Sequence, residues 1–464
     1  MAVPVSASAV PVAPGAVPLL GHGFALLRDP LGFMGSLHAL GPLVRLRGPV
    51  LTPDVYVVNS PELLHQVLVT DARDYSQARI TAGIGSQFGV SLVMDVAFDG
   101  LTLFASHVRH RRAVQPAFHP QRITARTPQV RRAVHDACAH WAPGSTIRVD
   151  REMARLAYLV NARAVCGNTP ALDRVTSALA RMSSRTTAGM YWRLALPQLA
   201  PLRHVPGTGG FRRALNSLRA GVTESVAHHR RHGATDDAVV AQLLHARYTD
   251  TGEPLDDRQI IADTLFLLWS ATHALKDVLP HVLHELARHP AVERRLHEEI
   301  DSVLQGRPVQ AGDLPALVYT RQVVKETLRL HPAPWMLGRR TLVPVRLGGA
   351  ELPAGTELAY CTYALHRHPD VHRDPLRFDP DRWQPDRVKA LPRCADIPFG
   401  AGVRKCIGET WTMSQLLTAV ATIAARWQLR AVPGHRYRPR ARIVISPGRL
   451  PMTCHPRGRR AGHP

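Results

Sequence analysis

A run of residues around Cys406 has the composition of a ligand-binding loop. Residues 399–408 read F-G-A-G-V-R-K-C-I-G. Gly400 and Gly402 can adopt backbone angles that are closed to other residues, so the loop can fold tightly and let a flat ligand approach its main chain. Arg404 lies two residues before the cysteine, and its planar guanidinium can hold a carboxylate.

The residues after Gly408 repeat apolar side chains at helical spacing. Cys406 is therefore predicted at a helix N-terminus, where unpaired N–H groups and the helix dipole favour a thiolate over a thiol. A thiolate held in this way is a strong axial ligand for haem iron. The alternative interpretation is a buried cysteine in a glycine-rich turn.

This decapeptide resembles the haem-binding signature of the cytochrome P450 family, F-G-x-G-x-R-x-C-x-G, and matches each fixed position. The resemblance implies that Cys406 is the axial thiolate ligand of haem b, iron protoporphyrin IX. It also implies a mainly α fold, a triangular helical prism with a smaller β region. Haem would lie between a distal helix at 258–288 and the helix after Cys406. The loop residues implied in cofactor binding are Phe399, Gly400, Arg404 and Gly408.

Three more positions are similar to the family's ligands for the haem propionates. His107 and Arg111 are four residues apart, so they share one face of a predicted helix. The segment Q-P-A-F follows them directly. Arg339 matches the third position, and its neighbour Arg340 is a rival for the same role. Charge-assisted hydrogen bonds from such groups would anchor the two carboxylates.

Glu326 and Arg329 form an E-x-x-R pair about eighty residues before the cysteine. Alone, such a pair is a common surface salt bridge. The later segment F-D-P-D-R-W resembles a second element of the family and supplies Arg382. The resemblance implies one buried cluster of these three charges, which fixes the loop that carries the thiolate. Each buried charge is costly unless it is paired.

The predicted distal helix departs from the family pattern, [AG]-G-x-[DE]-T. In the favoured alignment the matching residues are 270–274, so His273 replaces the acid and Ala274 replaces the threonine of the proton relay. A register two residues earlier keeps Thr272 as the alcohol. It would also place the Trp269 indole where a small residue must face the porphyrin. Pro280 is expected to kink the helix.

Large apolar side chains in three regions are candidates for the substrate pocket. The first is the loop that the family places over the haem, the second is its mobile lid, and the third is the distal helix with the segment before Arg339. These candidates are Phe88, Leu92, Met190, Phe266, Trp269 and Trp335.

The chain is interpreted as a single catalytic domain at 18–455, preceded by a flexible segment at 1–17 and followed by a basic tail at 456–464. The N-terminus is apolar but interrupted by prolines, and it has no run long enough to span a bilayer. No membrane anchor is therefore expected. Six widely spaced cysteines without a C-x-x-C pair suit a reducing compartment. A cytoplasmic monomer is predicted.

The net charge of +22 at pH 7 comes mostly from arginine. These residues are spread along the chain and no nucleic-acid motif is present, so nucleic acid is not expected as a partner. The resemblance implies electron supply by a ferredoxin and a ferredoxin reductase. Arg109, Arg112 and Lys405, with His110, are expected to face outward on the proximal side. The three cations there would attract an acidic ferredoxin.

The resemblance implies a monooxygenase that hydroxylates a hydrophobic small molecule. Within the family, Q-P-A-F and the G-M-Y segment at 189–191 resemble soluble bacterial oxidases of terpenoid biosynthesis. The replaced proton relay leaves two alternatives open. One is a non-standard haem-thiolate enzyme that uses peroxide, relies on a substrate hydroxyl or ordered water, or rearranges its substrate without activating O₂. The other is a haem-binding sensor without turnover.

Overall fold

The structure is a computed structural model. It describes the backbone of residues 5–6, 10–50, 52–79, 100–195, 208–233, 237–441 and 444–457. Side chains are described within these ranges except at 5–6, 100–104, 184–195 and 208. The chain is 56% helical with a smaller sheet region, so the prediction of a mainly α fold is confirmed.

The α-helices follow one another along most of the chain, and those from α4 to α13 build the larger part of the molecule. In order they are α1 (Gly23–Arg28), α2 (Pro30–Ser36), α3 (Pro61–His65), α4 (Gly100–Val114), α5 (Pro120–Ala137), α6 (Val149–Cys166), α7 (Leu172–Ala195), α8 (Thr208–His232), α9 (Val239–His245), α10 (Asp257–His273), α11 (Leu279–Arg288), α12 (Pro290–Leu304), α13 (Val318–Leu330), α14 (Thr362–Leu365), α15 (Pro385–Lys389) and α16 (Glu409–Ala424). Within the described ranges, none of them has both the length and the apolar character needed to cross a bilayer.

The strands are short and form several small sheets. In order they are β1 (Val5–Ser6), β2 (Leu43–Leu46), β3 (Val55–Val58), β4 (Tyr75–Gln77), β5 (Thr146–Arg148), β6 (Met336–Thr341), β7 (Val345–Leu347), β8 (Ala350–Leu352), β9 (Glu357–Cys361), β10 (Trp427–Ala431), β11 (Arg440–Ala441), β12 (Ile445–Ser446) and β13 (Pro451–Pro456). A five-stranded sheet has the order β2-β3-β9-β6-β4, in which only the β3–β9 pair is parallel. Three strands form β1-β8-β7, three form β10-β13-β5, and β11 pairs with β12.

The predicted distal helix is two α-helices joined by an irregular segment. Asp256 caps the start of α10 by accepting a hydrogen bond from the backbone N–H of Gln259, at 2.7 Å. A π-helical segment (Ala274–Val278) then connects α10 to α11. Pro280 lies in the first turn of α11, where a missing N–H costs little. The expected break near Pro280 is therefore spread over a π segment, a form of distortion that is frequent at functional sites.

The N-terminal segment is packed where the structure describes it. Val10 and Ala13 are buried, and the backbone N–H of Ala13 donates to the carbonyl of Arg45 at 3.0 Å. Both side chains join apolar clusters beside the five-stranded sheet. The expectation of a flexible segment at 1–17 is wrong at these positions, because alternating prolines and small apolar residues fit an extended path over a sheet edge as well as a loose tail.

Candidate haem-binding site

The cysteine loop is a tight structure that leads directly into α16. The backbone N–H of Cys406 donates to the carbonyl of Phe399 at 2.8 Å. Gly400 and Gly402 both have positive φ angles, of 73° and 67°, which few other residues adopt. Gly408 is the N-cap of α16, and its backbone N–H donates to the Cys406 sulfur. The cysteine therefore lies two residues before the cap rather than inside the helix.

Gly402 has a second constraint, which gives a testable prediction. A Cβ at this position would lie 1.9 Å from the carbonyl oxygen of Leu68. We expect Gly402→Ala to displace the loop, lower haem retention and cost about 1–3 kcal/mol of unfolding free energy through overpacking, beyond the strain of its φ angle. The matched control is Gly434→Ala, because Gly434 has a φ of 75° with open space around it. It should cost only about 1–2 kcal/mol, through backbone strain. Equal losses in urea unfolding would contradict the close approach to Leu68.

The surroundings of the Cys406 sulfur indicate an internal cavity. The residue is exposed, yet burial is the largest cause of a raised pKa of its thiol. Both observations hold if the side chain faces an empty space enclosed by protein. The positive charges of Arg111 and Lys405 act to lower this pKa, but burial outweighs them. The predicted preference for a thiolate is thus not met by the loop alone, whereas metal coordination deprotonates a thiol outright.

Two arginines meet at the edge of the β region. Arg339 is buried on β6, where it donates to the Gln77 side chain at 3.0 Å. Arg404 donates to the carbonyl of Ala72 at 3.1 Å. Burial raises the pKa of the Tyr360 hydroxyl, and the charges of Arg339 and Arg404 both act to lower it. The two guanidiniums are therefore close to one buried hydroxyl.

Arg340 lies on the opposite face of β6, as the alternation of a strand requires. It is partly exposed and lies 3.7 Å from the carboxylate of Glu357. Arg339 therefore points into the protein interior and Arg340 does not.

His107 and Arg111 share one side of α4. His107 is buried and Arg111 is half-buried. Burial lowers the pKa of Arg111, and the charge of the Cys406 sulfur acts to raise it. This mutual effect means that Arg111 lies near the cysteine.

Glu326 accepts hydrogen bonds from four different groups in the core. Arg329 donates twice, at 2.8 and 2.9 Å. The Trp383 indole donates at 3.0 Å, the Asp379 backbone at 2.9 Å and Arg382 at 3.4 Å. Arg382 is held mainly by other groups, since it donates to the carbonyls of residues 373 and 374. The carboxylate is fully buried, and each of its oxygens is used several times.

A short chain of bonds connects this cluster to the cysteine loop. Arg329 donates to the carbonyl of His366 at 2.7 Å. The ring Nε2 of His366 accepts from the backbone N–H of Ile397 at 3.0 Å. The carbonyl of Ile397 in turn accepts from the N–H of Gly400 at 3.0 Å. Glu326 and Arg329 thus hold the start of the loop at 399–408 in place.

One stripe of α10 faces the same interior space. Eight of the 17 residues of α10 are buried, and a series spaced three or four residues apart in its second half is partly exposed, as expected for one face of a helix. The members of this stripe are Phe266, Trp269, Ser270 and His273. Phe266 and Trp269 belong to the same apolar cluster as Ile407, which follows the cysteine. We therefore expect the distal helix and the cysteine loop to border one cavity.

His273 is held by residues that sequence reasoning missed. Its Nδ1 lies 2.6 Å from Asp277, whose other oxygen is 2.8 Å from the Lys276 ammonium. Thr272 is buried on the other flank, and its hydroxyl donates to the carbonyl of Trp269 at 2.8 Å. A relay role for Thr272, or for His273 and Ala274, stays a prediction. Ala274 is buried at the start of the π segment. The i, i+4 spacing of His273 and Asp277 was the available signal.

The remaining pocket candidates divide into two groups. Trp335 is buried in the apolar cluster between α2 and the five-stranded sheet, apart from the cluster that contains Phe266 and Trp269. Its expected role in the pocket is not supported by this position. The other three candidates lie outside the described residues or side chains, and they are Phe88, Leu92 and Met190.

The basic face of α4 is less charged than the sequence suggested. Arg109 makes an ion pair with Asp250 at 2.7 Å and stacks 3.8 Å above the Tyr248 ring. His110 is fully buried and lies 2.5 Å from Asp263 on α10, so the prediction that it faces outward is wrong. The alternation of basic residues on α4 does not reveal these partners, because they are more than 130 residues away in the sequence.

The residues at this cavity fit a haem group. They supply a sulfur donor, three nearby arginines (Arg111, Arg339 and Arg404), and apolar side chains from the distal helix. Comparison with known proteins agrees. The family model "Cytochrome P450" matches residues 11–448. The chain is similar to the cytochrome P450DA heme domain, with a TM-score of 0.82, 22% identity and coverage of 97% of this chain and 98% of the other. At that identity the match concerns the fold.

Two curated relatives from Streptomyces are similar over most of their length. One is cyclooctat-9-en-7-ol 5-monooxygenase of Streptomyces melanosporofaciens, which is 39% identical over 95% of this chain and 94% of the relative. The other is pentalenene oxygenase of Streptomyces avermitilis, which is 34% identical over 93% of this chain and 94% of the relative. The family is one of haem-thiolate monooxygenases. This chain is a member of the cytochrome P450 family.

Proposed function

We propose that the protein is a haem-thiolate monooxygenase that oxidises a hydrophobic terpenoid, with Cys406 as the axial ligand. The observation that carries this proposal is the position of Cys406, which lies near Arg111 and whose neighbour Ile407 packs against the same apolar cluster as Phe266 and Trp269 of the distal helix. When bound, haem supplies the activation of O₂ that the side chains of this chain lack. The relatives named for the oxygenation of cyclooctat-9-en-7-ol and pentalenene support the substrate class.

The other cysteines are poor candidates for the iron ligand. Burial raises the pKa of Cys138, Cys166 and Cys361 to about 12 in each case. Cys454 is fully buried on β13 inside the large helical core cluster. Cys394 is half-buried and packs beside the five-stranded sheet. Cys406 alone combines an exposed side chain with a neighbouring guanidinium.

The arginines suit the two propionates of haem. Arg339 and Arg404 lie together near Tyr360, and we assign them to one carboxylate. Arg111, with His107 one turn before it on α4, serves the other. Arg340 points away and pairs with Glu357, so we favour Arg339 over its neighbour. Bonds between guanidinium and carboxylate are about twice as strong as bonds between neutral groups, which would fix the orientation of the ring.

The distal side lacks the acid and threonine that the family pattern contains. His273 stands at the position of the acid, and Ala274 has no hydroxyl to hold a proton donor. An alternative activity that uses peroxide or rearranges the substrate therefore stays a second candidate. In either activity, the apolar wall formed by Phe266 and Trp269 would hold the hydrophobic body of the substrate and exclude water.

The experiment is a comparison of three conditions on a panel of terpenes and terpene alcohols. The haem-loaded protein is supplied with ferredoxin, ferredoxin reductase, NADPH and O₂, or with peroxide alone, or with neither, and products are identified by mass spectrometry. A product with one added oxygen atom that requires the reductase and O₂ supports the proposal. Product with peroxide alone supports the second candidate. Tight ligand binding without product in any condition would indicate a sensor and overturn both.

We further propose that the electron donor is an acidic ferredoxin that docks beside α4 and the cysteine loop. Lys405 lies 2.5 Å from Glu409, and Arg109 is paired with Asp250, so both charges are largely compensated within the chain. Arg112 is exposed and makes no ion pair within the described part of the chain. It is therefore the residue most able to attract a negatively charged partner.

Reversing this charge should slow electron transfer. We expect Arg112→Glu to reduce the rate of reduction by ferredoxin about tenfold at low salt, because electrostatic steering raises association rates by 10–10³. The difference should vanish as salt shortens the Debye length to about 3 Å at 1 M. Stopped-flow measurements give the rate of reduction by ferredoxin. Arg28→Glu on α1 is the control, because it reverses an exposed charge at another place on the surface. If the two variants behave alike, Arg112 does not steer the partner.

A further inference from the structure

The His273 imidazole is fixed on one side by a buried charged pair. Asp277 is only 1% exposed at its side chain, and it lies 2.6 Å from Nδ1 of His273 and 2.8 Å from the Lys276 ammonium. Burial acts to raise the pKa of this carboxyl, but Lys276 and His273 outweigh it and lower the pKa to about 2. Asp277 is therefore ionised at neutral pH and can only accept hydrogen bonds.

An ionised carboxylate on Nδ1 decides which nitrogen carries the proton. Because Asp277 accepts only, Nδ1 of His273 must carry a proton; in the neutral form of the ring Nε2 then presents a lone pair. Lys276 holds the second oxygen of Asp277, so the carboxylate cannot easily turn away. The i, i+4 spacing places Asp277 on the same side of the helix as His273.

The other nitrogen of the ring lacks a hydrogen-bond partner among the described residues. Nε2 of His273 is buried, and no residue that the structure describes hydrogen bonds to it. Leaving such a group unsatisfied costs about 1–3 kcal/mol, and buried polar atoms are normally paired. The ring stands at the end of the partly exposed stripe, perpendicular to Trp269 at 5.2 Å between centroids. The missing partner would therefore come from the cavity.

We infer that His273 is a specificity residue, whose Nε2 accepts a hydrogen bond from a hydroxyl group of the substrate, with Asp277 and Lys276 as positioning residues. This inference rests on the proposed function and makes it narrower: the substrate is a terpenoid alcohol rather than a terpene hydrocarbon. Phe266 and Trp269 contact the apolar body, and the single oriented acceptor selects the hydroxyl. A bound water could satisfy the same lone pair, but it would not favour an alcohol.

Binding of a matched pair of ligands tests this inference. The haem-loaded wild type is titrated calorimetrically with a cyclic terpene alcohol and with its parent hydrocarbon. The alcohol should bind about tenfold more tightly, because one additional hydrogen bond with a net contribution of about 1.4 kcal/mol raises the affinity by that factor. His273→Phe should remove the preference, and Asp277→Asn should weaken it. His284→Phe is the matched control, because His284 is a buried imidazole on α11 that stacks on Tyr437 at 3.7 Å. It should leave the preference unchanged.

The outcomes separate the two proposals. Equal affinities of the wild type for both ligands would mean that water fills the site, and they would overturn the inference while leaving the proposed function in place. A preference that survives in a folded His273→Phe protein would also overturn it. If neither ligand nor any other terpenoid binds, the proposed function itself fails. The comparison of the two ligands uses the wild-type protein, so it tests the inference even if Asp277→Asn does not fold.

Discussion

Replacing Glu326 with alanine is expected to cost about 3–5 kcal/mol of unfolding free energy, because the change leaves buried charges without their partner. Arg329 is fully buried and gives Glu326 two of its hydrogen bonds. Its remaining bonds go to carbonyl oxygens, which do not balance a full positive charge. The Trp383 indole and the Asp379 backbone N–H lose an acceptor as well. A loss of this size is a large part of the stability of a typical protein.

The same change should lower haem retention, because the Glu326 cluster is bonded to the segment that leads into the cysteine loop. Urea unfolding and the haem content of the purified protein measure the two effects. Glu224→Ala is the matched control, since Glu224 pairs with Arg174 at 2.8 Å on the surface. Such an exposed pair contributes about 0–1 kcal/mol. Wild-type stability and haem content in Glu326→Ala would show that the cluster is not required.

The features that could be predicted from the sequence are those set by short spacings. The glycines around Cys406 specify a tight loop, and the i, i+3 spacing of Glu326 and Arg329 puts both side chains on one side of α13. In both cases the geometry is decided within one or two turns of chain. The sequence therefore predicted these local arrangements, and the fold class with them.

The features that could not be predicted depend on tertiary contacts or on irregular backbone. An ideal helix places His273 and Asp277 on one side, but it does not show that Asp277 is buried with Lys276 on its second oxygen. The pair of His110 and Asp263 joins two helices that are distant in the sequence, so His110 was placed on the wrong side of α4. Arg109 was expected to be available to a partner because Asp250 lies in a loop with no pattern.

Replacing Cys406 with serine is expected to have the largest effect on function. A serine hydroxyl is a much weaker donor to iron than a thiolate, and the electron donation that a thiolate supplies for O–O cleavage would be lost. The fold should survive, because Cys406 is exposed toward the cavity and its backbone N–H keeps the bond to Phe399. Cys454→Ser is the control, since Cys454 is a fully buried cysteine on β13.

The spectrum of the reduced, carbon-monoxide-bound protein tests the central proposal most directly. Wild type and Cys454→Ser should both show the red-shifted band that a thiolate ligand produces. Cys406→Ser should lack this band while its circular dichroism stays that of a folded helical protein. Survival of the thiolate band in Cys406→Ser would contradict the assignment of Cys406 as the iron ligand, and with it the account of the cavity between the cysteine loop and the distal helix.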